Sequence, residues 1–134
     1  MSSVAESLQE VWLMARNRRV FQIAERIREL TAQYLIQSAD PRFNLVTITS
    51  VMVSPDLGSA KVYWVVSFLS DVDRQARIDE VDEAFEAAQG HLRSTLGKQL
   101  GIRFVPQLRF YYDDTLDTVE QVERLMGRIK ASES

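Results

Sequence analysis

Residues 45–69 read LVTITSVMVSPDLGSAKVYWVVSFL, two runs rich in β-branched side chains separated by Ser54-Pro55-Asp56-Leu57-Gly58. Branched and aromatic side chains favour extended backbone, and Pro, Asp and Gly in close succession supply turn chemistry. The stretch therefore predicts a hairpin with strands over 45–53 and 59–69. The second run is apolar on both alternating sets: Val62, Trp64, Val66 and Phe68 on one, Tyr63, Val65 and Leu69 on the other. A sheet with one wet face does not need that, so an N-terminal helix, a C-terminal helix or a partner is expected over the second face.

Upstream of the hairpin, Ile23, Ile27, Leu30 and Tyr34 fall on one helical face, and Asp40-Pro41 stops the pattern, which predicts a helix over 20–36. Val4, Leu8, Val11 and Trp12 form a second apolar stripe, expected as a separate amphipathic helix. Downstream, Ile78, Val81, Phe85 and Ala88 share a face, then Leu92, Leu96 and Leu100 follow Gly90. Glycine costs about 1 kcal/mol inside a helix, so two helices meeting near Ala88-Gln89-Gly90 are expected. Leu108, Phe110 and Tyr112 alternate with Arg109 and Tyr111, a third strand over 107–112. Leu116, Val119, Val122, Met126 and Ile129 predict a last helix capped by Asp114 or Thr115. The order predicts an α+β domain whose long crossover returns the chain to a small mixed three-stranded sheet, with helices on one face.

Length and composition agree with one packed domain. The chain has 134 residues, 46% hydrophobic and 26% charged, with one histidine and no cysteine. Disulfides, thiolate zinc sites and thiol nucleophiles are excluded, and a reducing cytoplasm is the simplest compartment. No segment approaches the roughly 20 apolar residues of a membrane span, and the N-terminus lacks the pattern of a secretory signal.

Several motifs carry a resemblance. Asp40-Pro41-Arg42 leads into VTIT at 46–49, followed by Ser54-x-Asp56-Leu57-x-x-Ala60-Lys61-Val62-Tyr63. Then come Ala88-Gln89-Gly90-x-x-Arg93-Ser94-x-Leu96-Gly97-Lys98 and Arg103-x-Val105-Pro106-x-Leu108-x-Phe110. In this order, over about 19–114, the blocks resemble the ribosome-binding factor A family. The resemblance implies a type II KH-like fold in which an Ala-x-Gly kink between two helices, here Ala88-Gln89-Gly90, replaces a Gly-x-x-Gly loop. It implies a non-enzymatic assembly factor that binds the free small (30S) ribosomal subunit, assists late maturation of 16S rRNA and supports bacterial growth in the cold. On this reading 1–15 is an N-terminal extension, 16–114 the KH-like RNA-binding domain and 115–134 a C-terminal helix and tail.

The net charge of −3 argues against nucleic acid until it is divided along the chain: residues 16–28 carry +4 and 87–112 carry +4, while 71–86 carry −5 and 113–134 carry −3. Segregated cations can neutralise phosphates whatever the total. Arg16, Arg19 and Arg26 on the first helix are candidate RNA contacts, Arg19 and Arg26 lying on one flank. Arg93, Lys98 and Arg103 are candidates further along, with Arg42 and Lys61 in or near the hairpin. A helix beginning near His91 would offer free backbone N–H groups to a phosphate beside Arg93. The plainer alternative pairs the first-helix arginines with Glu25 and Glu29 on the surface. Gly90 has two readings as well: it permits the kink, or its missing side chain lets RNA approach.

Catalytic signals are weak. His91 has no attached nucleophile or metal cluster, Asp113-Asp114 is better suited to capping, and no nucleotide-gripping glycine loop occurs. Neither a metal nor another cofactor is expected, nor a membrane or small-molecule partner, and a monomer is the simplest state. The alternative from another class is a KH-like protein-protein interaction or dimerisation module, centred on the apolar N-terminal segment.

Overall fold

The hairpin is the spine of the sheet. The computed structural model describes residues 4–67, 73–115 and 126–127, with side chains from residue 17. Strands β1 (Val46–Val53) and β2 (Ser59–Val66) pair antiparallel. The turn closes where Ser54 N donates to Ser59 O at 2.9 Å and Leu57 N to Ser54 O at 2.8 Å. Asp56 Oδ1 accepts from Ser54 Oγ at 2.6 Å and from Gly58 N at 2.9 Å, a local carboxylate bond that lets Leu57 sit at φ 60°. The expected strand end at Phe68 and Leu69 lies outside the described residues.

Register reveals a bulge that alternation does not predict. Ile48 pairs with Trp64 and Ser50 with Tyr63, leaving Thr49 as the extra residue. The side chains of β1 that pack inward are consequently Val46, Ile48, Val51 and Val53, while Met52 is 62% exposed. Strand β3 (Gln107–Tyr112) lies parallel to the other edge of β2, Ser59 pairing with Gln107 and Trp64 with Tyr112. The sheet is mixed, with order β1-β2-β3.

Helix α1 (Val4–Gln37) and helix α2 (Arg74–Leu100) supply the residues that cover the inner face. Between α1 and β1, Asp40 caps a short 3-10 turn, Pro41–Phe43, by accepting from Arg42 N at 2.9 Å. The core centres on Phe85, whose ring stacks on Phe110 at 4.4 Å and lies 5.0 Å from Phe43 and 5.7 Å from Trp64. Trp64 is wholly buried, as are Ile27, Val62, Val81 and Leu96. Each such side chain contributes about 1.5–3 kcal/mol relative to exposure. No helix among the described residues is long and apolar enough to cross a membrane.

Two expectations change. The separate N-terminal amphipathic helix is instead the first part of α1, because nothing between 4 and 37 breaks the backbone pattern. The two helices expected to meet at Ala88-Gln89-Gly90 form one unbroken run, Arg74–Leu100. The reason is packing: buried Ile78, Val81, Phe85, Leu92 and Leu96 make one stripe that passes Gly90 in phase, Ile78 and Leu96 lying about five turns apart. Contacts on both sides outweigh one residue's helix propensity. On the second face of the sheet Met52 and Tyr111 are exposed, and the C-terminal helix expected as one of its covers lies mostly outside the described residues. At the start of that helix Asp113 Oδ1 accepts from Thr115 N at 3.0 Å, and the residues that a cap at Asp114 or Thr115 would engage lie outside the described ones.

Candidate nucleic-acid interface

Helix α2 ends because Gly101 takes the left-handed conformation at φ 62°, turning the chain back along the helix into the loop 101–106. Gly97 lets that loop come close: a Cβ there would stand 3.1 Å from Val105 Cγ2. Arg93 Nη2 donates to Val105 O at 3.3 Å, which ties Arg93 to the loop that carries Arg103. Arg103 lies over the ring of Phe104 at 5.4 Å, and Phe104 is 77% exposed. Lys98 is exposed in the last turn of α2, where the helix carbonyls favour a cation. No acid occurs from 87 to 112, so this end of α2 gathers cations and an exposed ring without a neutralising carboxylate of its own. Such a surface can hold phosphates and stack on a base.

On α1, Arg19 and Arg26 are both exposed. Arg26 Nη1 pairs with Glu29 at 3.3 Å, with side chains 47% and 53% exposed, and Arg28 pairs with Glu25 at 3.0 Å. The alternative pairing is therefore real for those two arginines, although exposed pairs are weak enough to exchange for a phosphate. Arg18 and Arg19 have no ion pair among the described residues. The Arg16 side chain lies outside the described residues.

Arg42 and Lys61 stand apart from these groups. Arg42 grips Asp40, with Nη2 to Oδ2 at 2.8 Å, and this hydrogen bonding holds the Asp40 carboxyl below its ordinary range. Arg77 donates to Arg42 O at 2.9 Å and Asn44 O at 2.7 Å, tying the same turn to α2. Lys61 points from the open side of the sheet, opposite the helices. It shares no face with Arg93.

Each member of the Ala88-Gln89-Gly90 motif has a distinct place. Ala88 packs against the core, Gln89 Nε2 donates to Leu108 O at 2.9 Å and so ties α2 to β3, and Gly90 is exposed with nothing within 4 Å of an added Cβ. The phosphate site expected at a helix start near His91 is not formed, since α2 is unbroken there and its N–H groups are used within the helix. His91 Nδ1 instead meets Tyr34 Oη at 2.8 Å, a contact between α1 and α2. The hollow between α2 and β3 includes Asp82 and Glu86, which repel phosphate. The exposed ring of Phe104 has no signal in the sequence, whereas Arg109 falls in the basic stretch 87–112 and, with Tyr111, in the outward set of β3.

Two helices on a mixed three-stranded sheet, in the order helix, strand, strand, helix, strand, define a KH-like domain of the second type. The crystal structure of ribosome-binding factor A from Thermus thermophilus superposes with a TM-score of 0.59 and 22% identity, covering 69% of this chain and 93% of that one. A Thermus thermophilus RbfA homology structure, fitted into a cryo-electron microscopy map of a 30S-RbfA complex, gives 0.54 with 21% identity over 67% and 90%. The sequence profile described as Ribosome-binding factor A matches residues 19–126. The ribosome-binding factor A of Hahella chejuensis is 37% identical over 118 residues, 87% of each chain, and that of Salinispora tropica 38% over 112, or 83% and 69%. The chain belongs to the ribosome-binding factor A family.

Proposed function

We propose that this protein binds the free small ribosomal subunit in the cytoplasm and assists late maturation of its 16S rRNA, without catalysis and without a cofactor. Arg93, Lys98 and Arg103 form the main rRNA contact, and Arg19 and Arg26 extend it along α1. The observation that carries the reading is the acid-free gathering of these cations around the end of α2, fastened by the Arg93 to Val105 bond. The 30S-RbfA complex of the Thermus relative supports the choice of partner. Arg42 and Lys61 fall outside this contact, the first because Asp40 already occupies its guanidinium.

The test is gradient fractionation of lysate at two salt concentrations. The protein should co-migrate with small subunits at low salt and leave them at high salt. Changing Arg93, Lys98 and Arg103 to Glu should abolish co-migration at both, and changing each singly to Gln should lower the salt slope by about 1. Association that ignores salt and survives the triple change would instead favour a protein-protein interaction module.

A further inference from the structure

The side of the sheet away from the helices is built from three rows in register: Thr47 beside Val65; Ser50, Tyr63 and Tyr111; and Met52, Lys61 and Arg109. Its composition is unusual for a wet face. Tyr63 and Tyr111 lie side by side with ring centroids 5.7 Å apart and planes inclined by 32°, and Met52 and Tyr111 are exposed. Lys61 and Arg109 are exposed neighbours on adjacent strands. Two like charges in register repel, and neither has an ion-pair partner among the described residues. These rows contain no acid of their own; Asp113 and Asp114 line the hollow beside Ser50, Met52 and Tyr63, and Asp82 and Glu86 share a hollow with Arg109, so phosphate is directed to the Lys61 side of the pair. Two cations beside two aromatic faces complement a ligand that offers phosphates and flat bases together. A lysine on the middle strand of the face disfavours a protein partner, whose interface core would be depleted of lysine.

We propose that this open sheet face is a second RNA-contacting surface, on which Tyr63 and Tyr111 stack with bases of a single-stranded segment while Lys61 and Arg109 hold its phosphates. It rests on the reading of the protein as an rRNA binder and adds a surface on the opposite side from Arg93. One flank touches structured subunit RNA, and the sheet takes up an unpaired strand.

The test uses the full chain and a fluorescein-labelled oligoadenylate of about ten nucleotides, within the usual site size of such surfaces. Changing Tyr63 and Tyr111 to Leu keeps apolar bulk on the strands; affinity should fall about tenfold with the salt slope unchanged. Changing Lys61 and Arg109 to Gln should lower that slope by about 1.4, the value for two phosphates on a single strand. As a measure that needs no variant, tetranitromethane should nitrate Tyr111 in the free protein, and the oligonucleotide should protect it. Wild-type affinity in both double variants overturns the proposal, and so does nitration that the oligonucleotide leaves unchanged. Tyr111 already resistant in the free chain means that another part of the protein covers the face, which also overturns it. Failure of the functional reading looks different: the oligonucleotide still binds through the tyrosines, but no small subunit co-migrates with the protein.

Discussion

Replacing Gly90 with alanine separates the two roles open to this glycine. A methyl group there meets nothing within 4 Å, and the backbone is helical on both sides. With no clash to offset it, the gain is the propensity difference between Gly and Ala in a helix interior, about 0.5–1 kcal/mol. At about 2.1 cal/mol/K per residue, the unfolding entropy of a chain this long turns that gain into a rise in Tm of roughly 2–4 °C. Urea denaturation should show a higher midpoint with the same slope. A contrasting substitution calibrates the assay: Gly101 holds φ 62°, so Gly101→Ala should cost about 1 kcal/mol and lower the Tm. Small-subunit binding is then measured on the stabilised Gly90→Ala protein. Weaker binding alongside a higher Tm assigns the glycine to close approach of RNA. A lower Tm for Gly90→Ala would refute the reasoning, because it would mean that the glycine backbone, and not the missing side chain, is what the fold requires.

Two further outcomes follow from the core and the carboxylates. Phe85→Ala empties the position where Phe43, Trp64 and Phe110 converge and should cost about 3–5 kcal/mol, read as a large fall in the denaturation midpoint. Asp40 and Asp113 are held below the ordinary carboxylate value of 3.8, Asp40 by its hydrogen bonds from Arg42 and Asp113 by those from Thr115 and Thr49. A depressed folded-state value stabilises above the unfolded value and is lost as pH falls through the folded one, so Tm should decline below about pH 5. Asp40→Asn and Asp113→Asn should each flatten that decline relative to wild type; parallel curves would count against these bonds. Asp82, raised first by its own burial and then by Asp79, opposes the trend, which is why the variants are compared at each pH.

Which parts of this architecture are readable from residue order depends on how local their causes are. The hairpin turn is a matter of five consecutive residues, and the outward set of β3 follows from alternation, so both can be read directly. The bulge at Thr49 cannot, because strict alternation from Ile48 would send Met52 inward and Val51 outward. The observed reverse is decided by register against β2. Gly90 misleads for a related reason: a local cost of about 1 kcal/mol predicts a break, but the buried stripe from Ile78 to Leu96 keeps the helix whole. In the candidate site, segregation of charge marks residues 87–112 as basic, yet charge alone cannot tell Arg93, directed at the loop, from Arg42, consumed by Asp40. The side of the sheet that Lys61 occupies becomes visible only with the pairing in hand.

Strand β2 has one partner next to it in the chain and one across the whole of α2. Closing the β1-β2 hairpin fixes a five-residue turn, whereas bringing Gln107 to Ser59 must first order the intervening crossover. The two edges of β2 therefore close on different timescales. During the interval, the most apolar strand of the molecule shows an unpaired edge next to Trp64, and pairing with a strand of another chain competes with arrival of β3. Helices form faster than hairpins, so the time needed to bring β3 back to β2 across α2, and not the growth of α2 itself, sets how long the nascent fold is open to aggregation.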